Sequence, residues 1–584
     1  MNKSSIIEAC KELNFKLTDD NTIYNLSNKI ICNFIPNVKY QKIIDNKIYL
    51  CIDGTGIKGE KLPEILLDSY IINKPNWVID RFGFKYFIDK KCIDDFMKLI
   101  QLLSIKVETK LIYNHTGWIK QNNKWGYLHG AGCIGNIDAE VYLDESINNY
   151  ILPDKITDLD KACKQSLKLI DILSDNMGII PLSVVYLAPV IDLVSTKIKP
   201  PEFVLWIWGK TGSRKTSLSK AFLSHFGDFT RKIPATFNDT VTSIELKGNL
   251  LKDTLYLCDD YAPKQEYKEE KIQDSKAELI LRMYGDRVGK SRSSNKLDIK
   301  KNNEPRGMIF VTGEGIVSGE SSNARLLSIE VCRNSVDLDI LTDVQNNSHL
   351  LAESMRGYIE WILESIEDQD KFNEFISSII EIFEDYKRQL NTKYRDIVHG
   401  RTIESCAWIN LGYVLMLNYM YDKKIINDFD YYSEKFNLSI DQLVDSQNKL
   451  ISSNSIKGQF LNTLKELIDS KSLRIATLNS ANQVIETNLS NISGYKDDKY
   501  YYFYADKIYI SVNKEYLKKG VNMGISQRAL IKRLKEEGII KVDSDNSLPK
   551  KVINERDVTS ETGYKSIRPR MLQFDIDFID NLNV

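Results

Sequence analysis

The chain has 584 residues, and its 79 lysines and arginines nearly balance 80 aspartates and glutamates, so the formal net charge is −1. This balance excludes a uniformly basic nucleic-acid-binding coat, and any basic binding surface must be local. Apolar residues make up 42% and charged residues 27% of the chain, which is ordinary for a globular protein and excludes a disordered one. Length alone predicts about four domains.

Apolar runs and cysteines argue against a membrane-embedded or secreted protein. The longest nearly apolar run, residues 179–190, has 12 residues and contains Pro181 and Pro189, whereas a membrane-spanning helix needs about 20. The nine cysteines include no CxxC pair, and their odd number excludes a complete set of internal disulfides. We therefore expect a cytoplasmic protein with no membrane partner.

Five segments differ in their residue patterns. Residues 1–105 mix short helical and strand patterns and predict an N-terminal accessory domain of the α+β type. Residues 106–150 partly alternate and carry tight turns, which predicts a β-rich collar. Residues 151–400 predict an α/β domain with a parallel sheet, because apolar strands alternate with helices from about 200 to 335, and the stretch from 350 to about 470 is mainly helical in its pattern. Residues 401–470 predict a helical linker or lid, and residues 471–584 predict a further domain.

A glycine-rich loop, GKTGSRKT at residues 209–216, follows a strand-like apolar run and precedes a helix. It matches the phosphate-loop pattern GxxxxGK[ST] at Gly209, Lys215 and Thr216. Arg214 replaces the second glycine of the pattern, so it needs a backbone conformation that the loop allows. The residues that we expect to contact a nucleotide are Gly209, Lys210, Thr211, Gly212, Ser213, Arg214, Lys215, Thr216 and Ser217.

Such a loop binds phosphates through backbone N–H groups at the positively polarised start of a helix. We expect Lys215 to reach the β- and γ-phosphates of ATP, and Thr216 to offer its hydroxyl to Mg²⁺. The alternative is an ordinary strand–turn–helix of an α/β protein.

Two further strands are predicted to end near this loop. The apolar run at residues 254–258 is followed by Asp259 and Asp260. A carboxylate at such a strand end holds hydrated Mg²⁺ and the next acid polarises the attacking water, so we assign Asp259 to the metal and Asp260 to the water. The strand at residues 307–311 is followed by Thr312, which is expected to contact the γ-phosphate or the water.

Arg325 precedes another apolar strand and is a candidate arginine finger, supplied to the nucleotide of a neighbouring subunit. The alternative is an arginine that forms an ion pair on the surface or within the fold. The expected catalytic set is Lys215, Asp259, Asp260, Thr312 and Arg325.

These motifs stand in the order of an AAA+ ATPase. Four flanking motifs extend the match, namely TGW at 116–118, YLHG at 127–130, NDT at 238–240 and TGE at 312–314. Together they resemble the AAA+ replicative helicases of mobile genetic elements. That family includes the cassette chromosome helicase and the replication initiators of phage-inducible pathogenicity islands, and it is similar to the MCM helicases.

The resemblance implies an ATP hydrolase that uses Mg²⁺, forms a ring (a hexamer) and moves 3′ to 5′ on single-stranded DNA to unwind forked duplex. It also implies a hairpin that enters the channel, and the corresponding residues 284–306 hold seven basic and three acidic side chains. Backbone phosphates are the natural partner of such a cluster, with Lys290, Arg292 and Lys296 as candidates. A solvated basic loop is the alternative.

The C-terminal segment carries a second basic region, because residues 514–570 hold 14 basic and 8 acidic side chains. A helix is predicted from the N-cap Ser526 to just before Gly538. The strands predicted around it lie at residues 500–504, 507–512, 538–542 and 567–578. This pattern resembles a winged helix, whose helix would contact DNA through Arg528 and Lys532. Docking of another replication protein is the alternative.

The expected fold class is α/β, with an AAA+ P-loop ATPase core, an N-terminal α+β domain and a C-terminal winged-helix domain. We predict an ATP-dependent DNA helicase or replication initiator that acts as a ring during mobile-element replication, with origin DNA as a further candidate partner. The alternative is a nucleotide-switched signalling or phage-defence ATPase without helicase activity. Primase activity in the N-terminal domain is a third hypothesis, which no zinc-site spacing or clear paired-acid strand supports.

Overall fold

The computed structural model describes residues 3–44, 47–262, 267–289, 303–317, 319–394, 398–454, 456–486, 491–518, 525–557, 559 and 563–582. The chain forms two compact units. The first unit comprises Met1–Gly315, Glu330–Leu390 and Ser405–Ser439. The second unit comprises Ile316–Ile329, Asn391–Glu404 and Ile440–Val584.

The N-terminal region of the first unit packs helices on a sheet. Its elements are α1 Lys3–Glu12, β1 Lys16–Leu17, β2 Ile23–Tyr24, β3 Ile30–Cys32, β4 Ile35–Ile44, β5 Lys47–Thr55, β6 Lys61–Asp68, α2 Ser69–Ile72, α3 Trp77–Phe82 and α4 Ile93–Ser104. Phe34 is fully buried, and its ring contacts Trp77, Phe82, Tyr86 and Phe96 at centroid distances of 6.4, 5.4, 6.3 and 6.2 Å. This aromatic core fixes the loop between α3 and α4.

The alternating segment forms five strands, as its pattern predicts. They are β7 Glu108–Tyr113, β8 Gly117–Gln121, β9 Lys124–His129, β10 Gly132–Gly135 and β11 Glu140–Val141. The strands β8, β9 and β10 form an antiparallel meander. The strands β7 and β11 instead join the N-terminal sheet, whose order is β11-β7-β4-β5-β6. Alternation predicted the strands but does not specify their partners, because period two is common to every half-buried strand.

Three helices, α5 Leu159–Leu167, α6 Ile179–Leu187 and α7 Ile191–Ser195, come next. In the described part of the chain, the helical stretch Ser174–Ser195 is long and apolar enough to span a membrane, with a mean hydropathy of 2.0. However, 89% of the apolar 18-residue window within this stretch is buried inside the fold. It therefore has the environment of a core helix, whose surroundings are other apolar side chains of the same protein.

A parallel sheet forms the centre of the first unit. Its region contains β12 Val204–Trp208, α8 Lys215–Leu223, β13 Ala235–Thr236, α9 Val241–Leu250, β14 Leu255–Tyr261, α10 Tyr267–Gly285, β15 Met308–Gly313, α12 Leu338–Asn346 and α13 Ser348–Ser365. The chain between β15 and α12 contains α11 Glu320–Asn323 and β16 Leu326–Glu330, which belong to the second unit except for the last residue of β16. The strands β13, β14, β15 and β12 are parallel neighbours in that order. After β16, the N–H of Val331 donates to the carbonyl oxygen of Trp208 at 2.7 Å. The carboxyl ends of β12, β14 and β15 therefore meet at one edge of the sheet.

The TGW motif attaches the β8–β10 meander to this sheet. The hydroxyl of Thr116 donates to the carbonyl oxygen of Lys252 at 2.8 Å, and the N–H of Trp118 donates to Oδ2 of Asp253 at 3.0 Å. Gly117 has φ 91°, and a Cβ there would lie 2.6 Å from that Asp253 oxygen and from the Lys252 carbonyl oxygen. Asp253 is fully buried, and burial raises the pKa of its carboxyl to about 7 despite nearby Lys252. The motif thus has a structural role just before β14.

The described residues between 369 and 469 lie mainly in four long helices, as the sequence pattern predicts. The helices are α14 Gln369–Tyr394, α15 Gly400–Asp422, α16 Phe429–Asn454 and α17 Ile456–Asp469.

The C-terminal part of the second unit contains β17 Ile475–Thr477, β18 Gly494–Lys496, β19 Tyr500–Phe503, α18 Ala505–Lys518, α19 Gln527–Glu536, β20 Ile553–Arg556, β21 Tyr564–Ile567, β22 Leu572–Asp575 and α20 Ile576–Asp580. The strands β17, β18, β19 and β22 form one sheet in that order. Ser526 caps α19 as predicted, because its hydroxyl accepts from the N–H of Ala529 at 3.4 Å.

Two predicted strands of this region are wrong. Residues 507–512 lie inside α18, where Ile508 and Val512 are both fully buried four residues apart. Burial at helical spacing outweighed the strand preference of the β-branched side chains. Residues 538–542 form no strand either, although the N–H of Lys541 donates to the carbonyl oxygen of Gln573. A winged helix in this unit stays a prediction. One of its expected wing strands, at residues 538–542, is missing, and the other, predicted at residues 567–578, forms a strand mainly at Leu572–Asp575 before α20 begins.

Candidate nucleotide-binding site

The loop after β12 adopts an unusual backbone conformation at three positions. Gly209 has φ 156°, and a Cβ there would lie 2.1 Å from the carbonyl oxygen of Val331. Gly212 has φ 84°, and Arg214 has φ 68° and ψ 23°. Arg214 therefore takes the left-handed conformation for which the sequence pattern uses glycine. The backbone of the loop therefore follows the path expected with glycine, although arginine occupies the position, and this conformation costs an L-residue about 1–2 kcal/mol.

Polar groups of the loop converge at the start of α8. The ammonium of Lys215 donates to the carbonyl oxygens of Gly209 at 2.7 Å and Lys210 at 3.2 Å. Ser213 is 1% exposed, and its hydroxyl has no hydrogen-bond partner within the described residues. An unpaired buried hydroxyl costs free energy, and a phosphate oxygen in the loop would satisfy it. The residues present therefore fit a phosphate group.

Asp259 joins this loop to the neighbouring strands. The hydroxyl of Thr216 donates to Oδ1 of Asp259 at 2.9 Å and lies 3.2 Å from Oδ2. The hydroxyl of Thr312 also donates to Oδ1 of Asp259. Asp259 is 7% exposed and Thr312 is 1% exposed, so these contacts are shielded from bulk water. Carboxylate and hydroxyl oxygens are ligands that Mg²⁺ accepts, so Thr216 and Asp259 fit the metal predicted for them.

Asp260 lies beside this cluster at a break in β14. It has φ 71°, and its N–H donates to the hydroxyl of Thr312 at 3.0 Å. The pairing of β14 with β15 shifts register between Cys258 and Tyr261. Such a bulge changes the direction of a side chain and is common next to functional sites. Asp260 is exposed, so its carboxylate is accessible to water.

A bond across the mouth of the loop was not predicted from the sequence. The hydroxyl of Thr211 donates to Oε1 of Glu314, which follows β15. The N–H of Glu314 in turn donates to the carbonyl oxygen of Tyr261 at 2.8 Å. Thr211 is thus tied to the strand edge that carries Thr312. The TGE motif at residues 312–314 draws attention to Glu314, but the sequence does not indicate that Thr211 is the hydrogen-bond partner of this residue.

Arg333 is a second side chain near the loop that the sequence did not single out. Its Nε and Nη2 lie 3.9 Å from the position that a Cβ on Gly212 would occupy. Arg333 is exposed, and within the described chain it forms no hydrogen bond or ion pair. Arg333 follows β16 and is distant in sequence from the loop at residues 209–216, so no sequence motif connects the two. Its unpaired guanidinium is available to an anion.

A cavity of about 330 Å³ borders α8 and α12 beside the loop. Its polar lining includes Ser217, Gln345 and Ser348, whose side chains have no hydrogen-bond partner in the part of the chain that the structure describes. Ala221 and Val344 supply apolar lining. Cavities of about 300–1,000 Å³ with a mixed lining are typical of small-molecule sites.

The remaining predicted residues lie elsewhere or outside the description. Lys290, Arg292 and Lys296 lie outside the described residues. In the second unit, Arg325 donates through Nη1 to the carbonyl and hydroxyl oxygens of Ser321, both at 2.6 Å. Arg528 and Lys532 are exposed on α19, with Lys532 3.6 Å from Glu536.

Two arginines of the basic segment at residues 284–306 are structural. The guanidinium of Arg287 donates to the carbonyl oxygens of Pro201, Pro305 and Gly307 at 2.7, 3.2 and 2.8 Å. Burial lowers its pKa to about 10. Arg306 donates through Nε to the carbonyl oxygen of Asn249 at 2.6 Å. These contacts reduce the number of basic side chains in the segment that are available to a ligand.

The chain is a mixed α/β protein, and a loop that fits a phosphate group lies at the edge of its parallel sheet. No protein-family profile matches the chain, and no curated protein sequence matches it. Among solved structures, the chain is similar to one described as "SCCmec type IV Cch - active helicase", with a TM-score of 0.59 and 13% identity over 98% of this chain and 99% of that one.

At this identity the likeness concerns the fold, which this chain shares with a helicase over nearly its whole length. A second structure, of an inhibitor-bound JCV helicase, aligns with 44% of this chain and 66% of that one at 14% identity. Its TM-score of 0.23 is too low to bear on the fold.

Proposed function

We propose that the chain is an ATP-dependent DNA helicase that serves the replication of a mobile genetic element. The cluster in which Asp259 accepts from Thr216 and Thr312 carries the proposal. It joins a phosphate-type loop to the ends of two parallel strands, where nucleotide hydrolases hold Mg²⁺. The fold shared with a helicase and the AAA+ order of the motifs support the same conclusion.

Each described side chain of the site would have a separate role in ATP hydrolysis. ATP would supply the phosphoanhydride bond, and Mg²⁺ would neutralise its charge. Lys215 would exchange its carbonyl partners for β- and γ-phosphate oxygens, and Thr216 and Asp259 would hold the metal. Thr312 fixes Asp259 in place, and Asp260 would accept a proton from the attacking water. Because Asp260 is one methylene shorter than glutamate, its reach depends on the bulge that carries it.

The rest of the nucleotide would extend along α8. The cavity beside this helix would receive the nucleoside, with Gln345 and Ser348 as hydrogen-bonding groups. Arg333 would bind phosphate oxygens from outside the loop, since its guanidinium lies close to Gly212. A guanidinium offers several N–H donors in a fixed fork that matches phosphate geometry.

We further propose a ring of subunits, as a hexamer in the cytoplasm, in which Arg325 acts on the nucleotide of the neighbouring subunit. Single-stranded DNA would contact Lys290, Arg292 and Lys296. The described residues on either side of this segment lie close together, because a Cβ on Gly289 would lie 2.9 Å from the backbone of Asn303. Arg528 and Lys532 are proposed as a second DNA contact, in a winged helix or a module of similar use.

The rate of ATP hydrolysis with and without DNA tests this proposal. We expect single-stranded DNA to stimulate Mg²⁺-dependent hydrolysis by the full chain at least several-fold, because a motor couples the two. Lys215→Ala should abolish both rates, since the loop loses the cation that neutralises phosphate charge. Hydrolysis that depends on Lys215 but does not respond to DNA would contradict the helicase and favour a nucleotide-switched signalling ATPase.

A further inference from the structure

The loop between α3 and α4 presents an aromatic side chain at the tip of a tight turn. Gly83 ends α3 with φ 94°, and the N–H of Tyr86 donates to the carbonyl oxygen of Gly83 at 3.1 Å. Phe84 and Lys85 occupy the two corners of this turn. Phe84 is 93% exposed, which leaves nearly all of its ring in water.

The turn is rigid because both of its ends are anchored in the protein. Phe82 and Tyr86 are 8% and 1% exposed and pack against the buried ring of Phe34. The side chain of Asn33 bridges the following backbone, donating to the carbonyl oxygen of Lys85 and accepting from the N–H of Phe87, both at 2.8 Å. The exposure of Phe84 is therefore built into the fold, since the fixed turn keeps its ring away from the apolar core.

Cationic side chains belong to this turn and to the segments joined to it. A second turn at residues 56–60 is joined to the first by Glu60, which accepts from the ammonium of Lys85 at 2.6 Å and from the hydroxyl of Tyr86. Lys58 is exposed at the tip of the second turn, and Arg81 is exposed in the last turn of α3. Neither the Lys58 nor the Arg81 side chain forms a hydrogen bond or ion pair within the described residues.

We propose that this surface, the aromatic turn (Lys58, Arg81, Phe84 and Lys85), binds single-stranded nucleic acid, with a base stacked on Phe84 and phosphates beside Lys58 and Arg81. Aromatic rings that stand among basic groups bind single strands in this way, because every base has a π-face and every nucleotide a phosphate. A docking site for an apolar protein segment would not require exposed cations without partners, such as Lys58 and Arg81. The inference rests on the proposed function, since the strand in question is one that a helicase separates.

Three substitutions at Phe84 separate stacking from other kinds of contact. We expect Phe84→Ala to weaken binding of a fluorescein-labelled oligothymidylate to the full chain about tenfold, measured by anisotropy without nucleotide. Phe84→Trp should keep wild-type affinity because it keeps a π-face. Phe84→Leu should lose affinity like the alanine variant, although it keeps apolar area. Tyr142→Ala removes another exposed aromatic ring, 70% exposed, and should change nothing.

The salt dependence tests the phosphate contacts independently. Arg81→Ala should reduce the slope of log affinity against log salt by about 0.7, as expected for one phosphate contact on a single strand. All variants should unfold at the wild-type temperature, since the altered side chains are exposed. Equal affinity in Phe84→Leu and wild type, or an unchanged affinity in Phe84→Ala, would overturn the proposal.

Two further results separate this inference from the proposed function. If Phe84→Ala changes the oligomeric state in analytical ultracentrifugation and leaves oligothymidylate binding intact, the aromatic turn is a contact between copies of the chain and the proposal fails. If Phe84→Ala weakens DNA binding in a protein that hydrolyses no ATP, the aromatic turn is confirmed and the proposed function is wrong.

Discussion

Asp259 is the side chain at which the loop helix α8 and the strands β14 and β15 meet. Its carboxylate accepts hydrogen bonds from Thr216 and Thr312, which come from different elements. Because two elements fix the same carboxylate, its position is set by the fold even without a bound metal. The contact of Thr312 with the backbone of Asp260 extends this order to the second acid.

The exchange of glycine for Arg214 has a measurable consequence. Arg214→Gly should raise the free energy of unfolding by up to about 1 kcal/mol, because the left-handed strain that it removes, about 1–2 kcal/mol, exceeds the loss of about 0.5–1 kcal/mol that glycine causes by adding entropy to the unfolded chain. Urea denaturation without nucleotide measures this change. The neighbouring Lys210→Gly is the matched control and should lower stability by about 0.5–1 kcal/mol, since Lys210 has no positive φ to relieve. Equal effects of the two changes would contradict the account of Arg214.

Residues of the site were predictable from the sequence where a motif is local. The loop, the paired acids and Thr312 each follow an apolar strand, and the carboxyl ends of parallel strands share one edge of a sheet. Arg333 and the bond between Thr211 and Glu314 were not predictable in this way. Their partners are distant in sequence, and only the folded chain brings them to the loop.

At the scale of elements, the parallel sheet and the long helices agree with the patterns of the sequence, whereas short β-branched segments do not. Residues 507–512 alternate in a way that favours a strand, yet Ile508 and Val512 share one face of a helix. The TGW motif at 116–118 is another case. It resembled a family marker, and the structure gives it a packing role in which Gly117 admits the carboxylate of Asp253.

A buried histidine in the turn directly after α8 should make stability depend on pH. His225 is fully buried, with Nε2 2.8 Å from the hydroxyl of Ser166 and Nδ1 2.8 Å from the carbonyl oxygen of Phe222. Burial lowers its pKa from 6.5 to about 4. Between these values the unfolded chain binds more protons than the folded chain, so stability is complete above pH 6.5 and falls as the pH falls towards 4.

The histidine predicts a loss of about 3 kcal/mol across this pH window from His225 alone. His225→Gln should therefore lose less stability than the wild type between pH 6.5 and 4, measured by urea denaturation with tryptophan fluorescence. The exposed His399 offers a control, and His399→Gln should keep the wild-type profile. Identical profiles of His225→Gln and wild type would show that His225 is not held neutral.

At the scale of the whole molecule, the near-zero net charge means that basic segments are balanced by acidic residues elsewhere in the chain. The two basic segments, residues 284–306 and 514–570, coexist with a net charge of −1 for the chain. Two basic side chains of the first segment stabilise the fold, because Arg287 and Arg306 donate hydrogen bonds to backbone carbonyl oxygens. A nucleic-acid motor with this charge would have to bind DNA at local sites such as the aromatic turn, the segment at 290–302 and α19.

A ring with shared active sites predicts rescue in mixed assemblies. Lys215→Ala and Arg325→Ala should each abolish ATP hydrolysis, since one removes the phosphate-binding cation and the other removes the finger. Mixing the two variants in equal amounts should restore about a quarter of the wild-type rate, because random neighbours then combine an intact loop with an intact finger. Absence of rescue, with loss of nucleotide binding in Arg325→Ala, would assign Arg325 a structural role.

Strand separation is the most direct test of the central claim. The purified full chain should unwind a forked DNA duplex with a single-stranded tail in the presence of Mg²⁺ and ATP, measured by the release of a fluorescent strand. Lys215→Ala and Asp259→Asn should release none, because they remove the phosphate contact and a metal ligand. Hydrolysis of ATP by the wild type without any release of the strand, on forks with either tail polarity, would contradict the account.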